Sequence, residues 1–108
     1  MPDMTSTYEY DLYFPFVNKA GVRATDKVFN DIKQRLTEFF GGLTDFQHRS
    51  EGTWQYGGVT YYDEVVLVRM LTDERDRARE FLRSIQRELE GTLDQQEILV
   101  IERQVQRL

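Results

Sequence analysis

The chain has 108 residues and a formal net charge of −5, from 14 Lys and Arg against 19 Asp and Glu. That length suits a single core, and 40% apolar residues, 13% of the chain being aromatic, can offset the entropy of ordering. The acidic balance argues against a surface that neutralises phosphates, and the absence of cysteine removes disulfides, thiolate catalysis and cysteine-ligated zinc or iron–sulfur sites.

No apolar run approaches the length of a secretory or membrane-spanning segment, so a cytoplasmic location without membrane association is expected. Residues 1–7 are small and polar without period and read as a disordered leader, followed by one domain over 8–108. From Tyr8 to Val17 the residues alternate: Tyr8, Tyr10, Leu12, Phe14 and Phe16 share one face, and Glu9, Asp11 and Tyr13 the other. That is a first strand, with Pro15 ending ladder pairing near its close.

Thr25 is placed to cap a helix whose apolar positions Val28, Phe29, Ile32, Leu36, Phe39 and Phe40 form one stripe, stopped by Gly41-Gly42. Leu43 to Tyr56 and Val59 to Leu71 then read as the arms of a long β-hairpin turned by Gly57-Gly58, with a bulge expected at Gly52. Thr72 or Asp73 caps a second helix carrying Ala78, Phe81, Leu82, Ile85, Leu89 and Leu93, and Gln96 to Val105 supplies the last strand.

Strand, helix, strand, strand, helix, strand is the order of an α+β two-layer sandwich of the ferredoxin-like βαββαβ kind, with both helices on one face of an antiparallel sheet. Right-handed crossovers give the sheet order 4-1-3-2. The third strand is apolar on both sides, with Val66, Val68 and Met70 against Val65, Leu67 and Leu71. Two helices cover one face only, so the other is expected to pack on a second copy of the chain, a homodimer.

The stretches Phe40-Gly41-Gly42-Leu43-Thr44, Gly52-Thr53-Trp54, Gly57-Gly58 and Asp63-Glu64-Val65-Val66 carry a resemblance. The chain resembles small uncharacterised bacterial proteins of ferredoxin-like fold that share a Phe-Gly-Gly-x-Thr segment followed by a Gly-x-Trp hairpin. The resemblance covers roughly the middle third, and it implies the fold and no activity. More loosely, the chain looks like the dimeric α/β-barrel proteins, a group that includes cofactor-free monooxygenases, isomerases and haem-handling enzymes. That likeness is of fold alone, and none of their site patterns maps onto residues here.

His48, the only histidine, is the one possible centre for histidine acid–base chemistry, against the plainer reading of an exposed strand-end residue. Asp11 lies on the predicted central strand away from the helices, where a carboxylate needs water or a partner such as Arg69 or Arg103. Trp54 and Tyr56 near the hairpin tip, with Tyr13 and Arg69 on the open sheet face, are the candidate ligand-binding residues. Arg75, Arg79, Arg83 and Arg87 recur every four residues, but interleaved acids make them a solvated, ion-paired helix face.

Phosphate loops, zinc-protease helices, nucleophile elbows and the aromatic motif of RNA-binding plaits are absent, so no cofactor, metal or nucleic acid is implied. The reading that follows is a dimeric module binding a partner or small ligand at the open sheet face and hairpin. The alternative is a small cofactor-free enzyme acting on an apolar or aromatic substrate, with His48 as acid–base group and Asp11 or tyrosines orienting the substrate.

Overall fold

In a computed structural model of the chain, residues 6–17, 24–94 and 97–108 are described, without the side chains of residues 17, 54 and 61. The elements run β1 (Ser6–Val17), α1 (Asp26–Phe40), β2 (Thr44–Tyr56), β3 (Val59–Thr72), α2 (Arg75–Thr92) and β4 (Val100–Gln106). The four strands form one sheet in the order β2-β3-β1-β4, and every neighbouring pair is antiparallel. β1 is therefore an inner strand, hydrogen-bonded on both sides.

Alternation along β1 decides what is buried. Tyr10, Leu12, Phe14 and Phe16 join Val66, Val68 and Met70 of β3 in one cluster with Phe29, Ile32 and Leu36 of α1 and Ala78, Leu82, Ile85 and Leu89 of α2. A single core thus lies between one sheet face and both helices, and each fully buried Leu or Phe contributes about 1.5–3 kcal/mol. Phe14, Phe16 and Phe29 form a triad with ring centroids 4.7–5.2 Å apart. Phe39 stacks on Phe81 at 4.1 Å and so ties α1 to α2.

Thr25 caps α1 as its sequence position requires, its Oγ1 accepting from the Val28 N–H at 3.2 Å. Gly41 closes the helix at φ +82°, in the left-handed region that a Cβ disfavours. Gly57 and Gly58 are both at positive φ, the pattern of a two-residue hairpin turn whose twist matches its strands.

Several boundaries depart from expectation. β1 begins at Ser6, because Thr7 is fully buried and its Oγ1 donates to Asp73 Oδ1 at 2.8 Å, tying the strand's start to the loop before α2. The leader expected over residues 1–7 thus gives up its last two positions to the sheet, while residues 1–5 lie outside the described residues.

The helix α2 is capped by Glu74, which makes no side-chain cap bond; Thr72 Oγ1 instead accepts from the Glu74 N–H at 3.1 Å, a turn just ahead of the helix. β4 begins at Val100, although Ile98 is already buried in the core.

The bulge is not at Gly52. Gly52 pairs regularly with Asp63, and the irregularity falls between Asp45 and Arg49, where Phe46, Gln47 and His48 together stand opposite Leu67. Gln47 sits there at φ 57°, and its N–H donates to Asp45 Oδ1 at 2.8 Å. An aspartate that satisfies the backbone two residues on stabilises this local excursion.

Candidate functional site

The sheet face turned away from the helices carries the odd-numbered positions of β1. Asp11 is paired with Arg69 of β3, and Glu9 with Arg103 of β4. Arg69 Nε and Nη2 donate to the two oxygens of Asp11 at 2.7 and 3.0 Å. Arg103 Nη1 donates to Asp11 Oδ2 and to Glu9 Oε1, both at 2.8 Å, and Arg69 Nε lies 3.2 Å from Glu9 Oε1. Two acids and two bases thus close into a cluster of no net charge.

Asp11 is 1% exposed, the cluster's one fully buried member. Its burial opposes ionisation, but the hydrogen bonds from Arg69 and Arg103, with their charges, outweigh that and hold its carboxyl below the usual value. The Arg69 and Arg103 guanidiniums are raised in turn, chiefly by their hydrogen bonds to Asp11. A general base works best with a pKa near the operating pH. Asp11 is instead placed as a fixed anion, its two oxygens taken up by Arg69 and Arg103, which suits an organising role rather than proton transfer.

Apolar side chains ring this cluster. Tyr13, Val65, Leu67, Ile101 and Val105 are half-buried, Leu71 is 42% exposed, and Phe46 is 44% exposed with the Arg69 guanidinium 5.1 Å above its ring. Of the four ligand-binding candidates the fold brings Tyr13 and Arg69 together on this face. Tyr56 lies away at the hairpin turn, 63% exposed, and the Trp54 side chain is outside the described residues.

His48 is exposed within the irregular stretch of β2. Among the described residues its imidazole makes no hydrogen bond or ion pair, and it is absent from the walls of the grooves along α2 and at the end of α1. The geometry therefore supplies it with no orienting carboxylate, which a histidine acid–base scheme needs.

A second polar centre sits on the helix side. Glu102 of β4 accepts from Arg79 Nε and Nη2, both at 2.7 Å, and from the Tyr10 hydroxyl at 2.7 Å. The hydrogen bond from Arg79 outweighs burial and, with that from Tyr10, brings Glu102 down to about 2. Burial and the neighbouring carboxylate push the Tyr10 hydroxyl up. This clamp was not anticipated from the sequence. Its available signal was register, because an antiparallel β1–β4 pair sets Tyr10 opposite Glu102.

Among the described residues no three His, Asp or Glu side chains gather to hold a metal ion, and no helix is long and apolar enough to cross a membrane. No protein-family model matches the chain, and no significant match to a curated protein was found.

Proposed function

We propose that this chain is a ferredoxin-like sandwich working as a homodimeric binding module, with the helix-free sheet face as its self-interface. The observation that carries the reading is the composition of that face: half-exposed Val65, Leu67, Leu71, Ile101 and Val105 surround an ion cluster whose charges are already paired. The apolar ring favours removal from water. Covering paired charges avoids stranding any one of them, the costly case for buried ions. A twofold axis through the face would set the same patch against itself, the commonest oligomer geometry.

Area sets a further requirement. Four strands about 4.8 Å apart and seven residues long cover roughly 400 Å², short of the about 800 Å² per partner of a standard interface. The β2–β3 hairpin supplies the remainder. β1 pairs with β3 no further than Glu64, so residues 52–56 and 59–63 project as a two-stranded arm. Tyr56, Val59 and Tyr62 on that arm are 63%, 50% and 59% exposed, which suits an arm that closes over a neighbouring subunit.

Light scattering on wild type and on Leu67→Arg tests the reading, with circular dichroism confirming that the variant folds. The expected masses are twice the 12.9 kDa chain for wild type and one chain for the variant. A monomeric wild type, or a folded Leu67→Arg that stays dimeric, would overturn it.

A further inference from the structure

At the end of the sheet where α1 hands over to β2 lies a cavity of about 320 Å³. Phe40, Leu43 and Leu71 give it apolar walls, Thr44 contributes a hydroxyl, and Arg69 and Arg107 are its charged groups. Gly41 and Gly42 form part of its rim, and a Cβ at either would meet no heavy atom within 4 Å, so open space stands before their backbone. The segment Phe40-Gly41-Gly42-Leu43-Thr44 is thus a wall of a cavity as well as a connection.

From this arrangement we propose that the cavity binds a small organic carboxylate with an apolar body. The cavity borders the proposed self-interface, since Arg69 and Leu71 belong to both, whereas Phe40 to Thr44 and Arg107 are not among the residues assigned to that face.

The sign of the ligand's charge follows from the lining. Both charged groups are cationic, whereas the grooves along α2 mix their arginines with Asp76, Glu80 or Glu102. Arg69 commits Nε and Nη2 to Asp11, which leaves Nη1 outside those bonds. Among the described residues the ion pair of Arg107 is a long one, to Asp73 Oδ1 at 3.7 Å and beyond hydrogen-bond distance, and its side chain is 55% exposed.

The C-terminal end of α1 has no basic residue in its last turn and brings about half a negative charge to the same region. Arg107, whose ion pair to Asp73 is long and exposed, is the principal partner of the carboxylate, and Arg69, whose charge Asp11 and Glu9 offset, is the second through Nη1 alone. A planar fork matches a carboxylate better than a point charge does. The size of the ligand follows from the volume, which is at the lower end of the about 300–1,000 Å³ of small-molecule pockets. A single ring or a short chain fits that space.

Benzoate, benzamide and benzylamine are suitable probes, alike in ring and different in charge. Each is titrated at millimolar concentrations into ¹⁵N-labelled chain while backbone amide shifts are followed. Benzoate is expected to shift the Gly41, Gly42 and Thr44 amides in a saturable way, with benzamide and benzylamine moving them little. Arg107→Gln should weaken benzoate about tenfold, as loss of a charge-assisted hydrogen bond does. Arg107→Lys should fall between the two, and Arg83→Gln, on the α2 grooves, should leave binding unchanged.

Equal shifts from benzoate and benzamide, shifts that map away from residues 40–44, an Arg107→Gln variant that binds as wild type, or no saturation would each overturn the proposal. Because Leu67→Arg leaves every wall of the cavity in place, benzoate binding by that variant would hold even if the dimer reading failed.

Discussion

Asp11 and Arg69 stand directly opposite each other on β1 and β3, and the fork of Arg69 closes on both oxygens of a carboxylate that is 1% exposed. Opposite charges facing across an antiparallel pair stabilise a register. Here the effect is enlarged because Asp11 has little water to fall back on. A one-residue slip of β1 would carry Asp11 to the helix face and Leu12 out of the core. The cluster therefore fixes pairing as well as lining a surface.

Asp11→Asn removes the anion that both arginines share and leaves them facing only Glu9. Chemical denaturation should show a loss of about 1.5–3 kcal/mol, the scale for hydrogen bonds to a charged group, since the arginines left behind are partly exposed and can be solvated. A change under about 0.5 kcal/mol, the level of an ordinary surface substitution, would mean that the cluster contributes nothing to the fold.

The acid limb of stability follows from Glu102 and Asp11. Glu102 is held at about 2 against an ordinary 4.5, so between those values the unfolded chain binds the proton that the folded chain refuses. Stability from this group is complete above pH 4.5 and is lost as pH falls through about 2; the lowered Asp11 acts in the same direction. Denaturation midpoints should rise with pH across that window. Glu102→Gln should flatten the rise, and an unaltered slope in that variant would count against the clamp.

Tyr10→Phe deletes one of the hydrogen bonds to Glu102 without altering the ring that packs in the core. The expected cost is about 1 kcal/mol, with the Glu102 carboxyl titrating at higher pH in a ¹³C experiment. A Glu102 titration identical to wild type would show that Arg79 alone sets its value.

Gly52→Ala tests the close approach on the hairpin. A Cβ at Gly52 would lie 2.2 Å from Asp63 Oδ1, so the carboxylate must turn aside. On an exposed arm the expected loss is about 1 kcal/mol, the lower end for overpacking. The same substitution in an Asp63→Ala background should cost little. An equal loss in both backgrounds would place its cause elsewhere.

Periodicity made the elements and the core legible. The even positions of β1 and β3 and the apolar stripes of both helices required one buried face, and the apolar odd positions Val65, Leu67 and Leu71 announced a second face left open. Asp11 was legible as well, because a carboxylate alternating onto an inner strand needs a partner, and Arg69 and Arg103 were the cations in reach.

The irregularity at residues 46–48 left no such signal. It depends on Gln47 adopting φ 57° and on the Asp45 side chain meeting its backbone, whereas the sequence offered Gly52 as the more obvious place for a bulge. Nor did the sequence show that Phe40 to Thr44 and Arg107 share a cavity, since that convergence belongs to tertiary structure. In the arginine stripe Arg75 pairs with the interleaved Asp76, as expected, whereas Arg79 pairs with Glu102 on β4 and not with an acid of its own helix.

The departure from ladder geometry at Phe46, Gln47 and His48 falls on the outermost strand of the sheet. A fifth strand arriving there would find no continuous row of donors and acceptors to copy. The opposite margin, β4, is only seven residues long and carries Glu102 and Arg103 at its middle. Growth of the sheet sideways, the route to fibres, is thus discouraged at both margins, and the molecule keeps a ceiling on its own assembly without a proline in either outer strand.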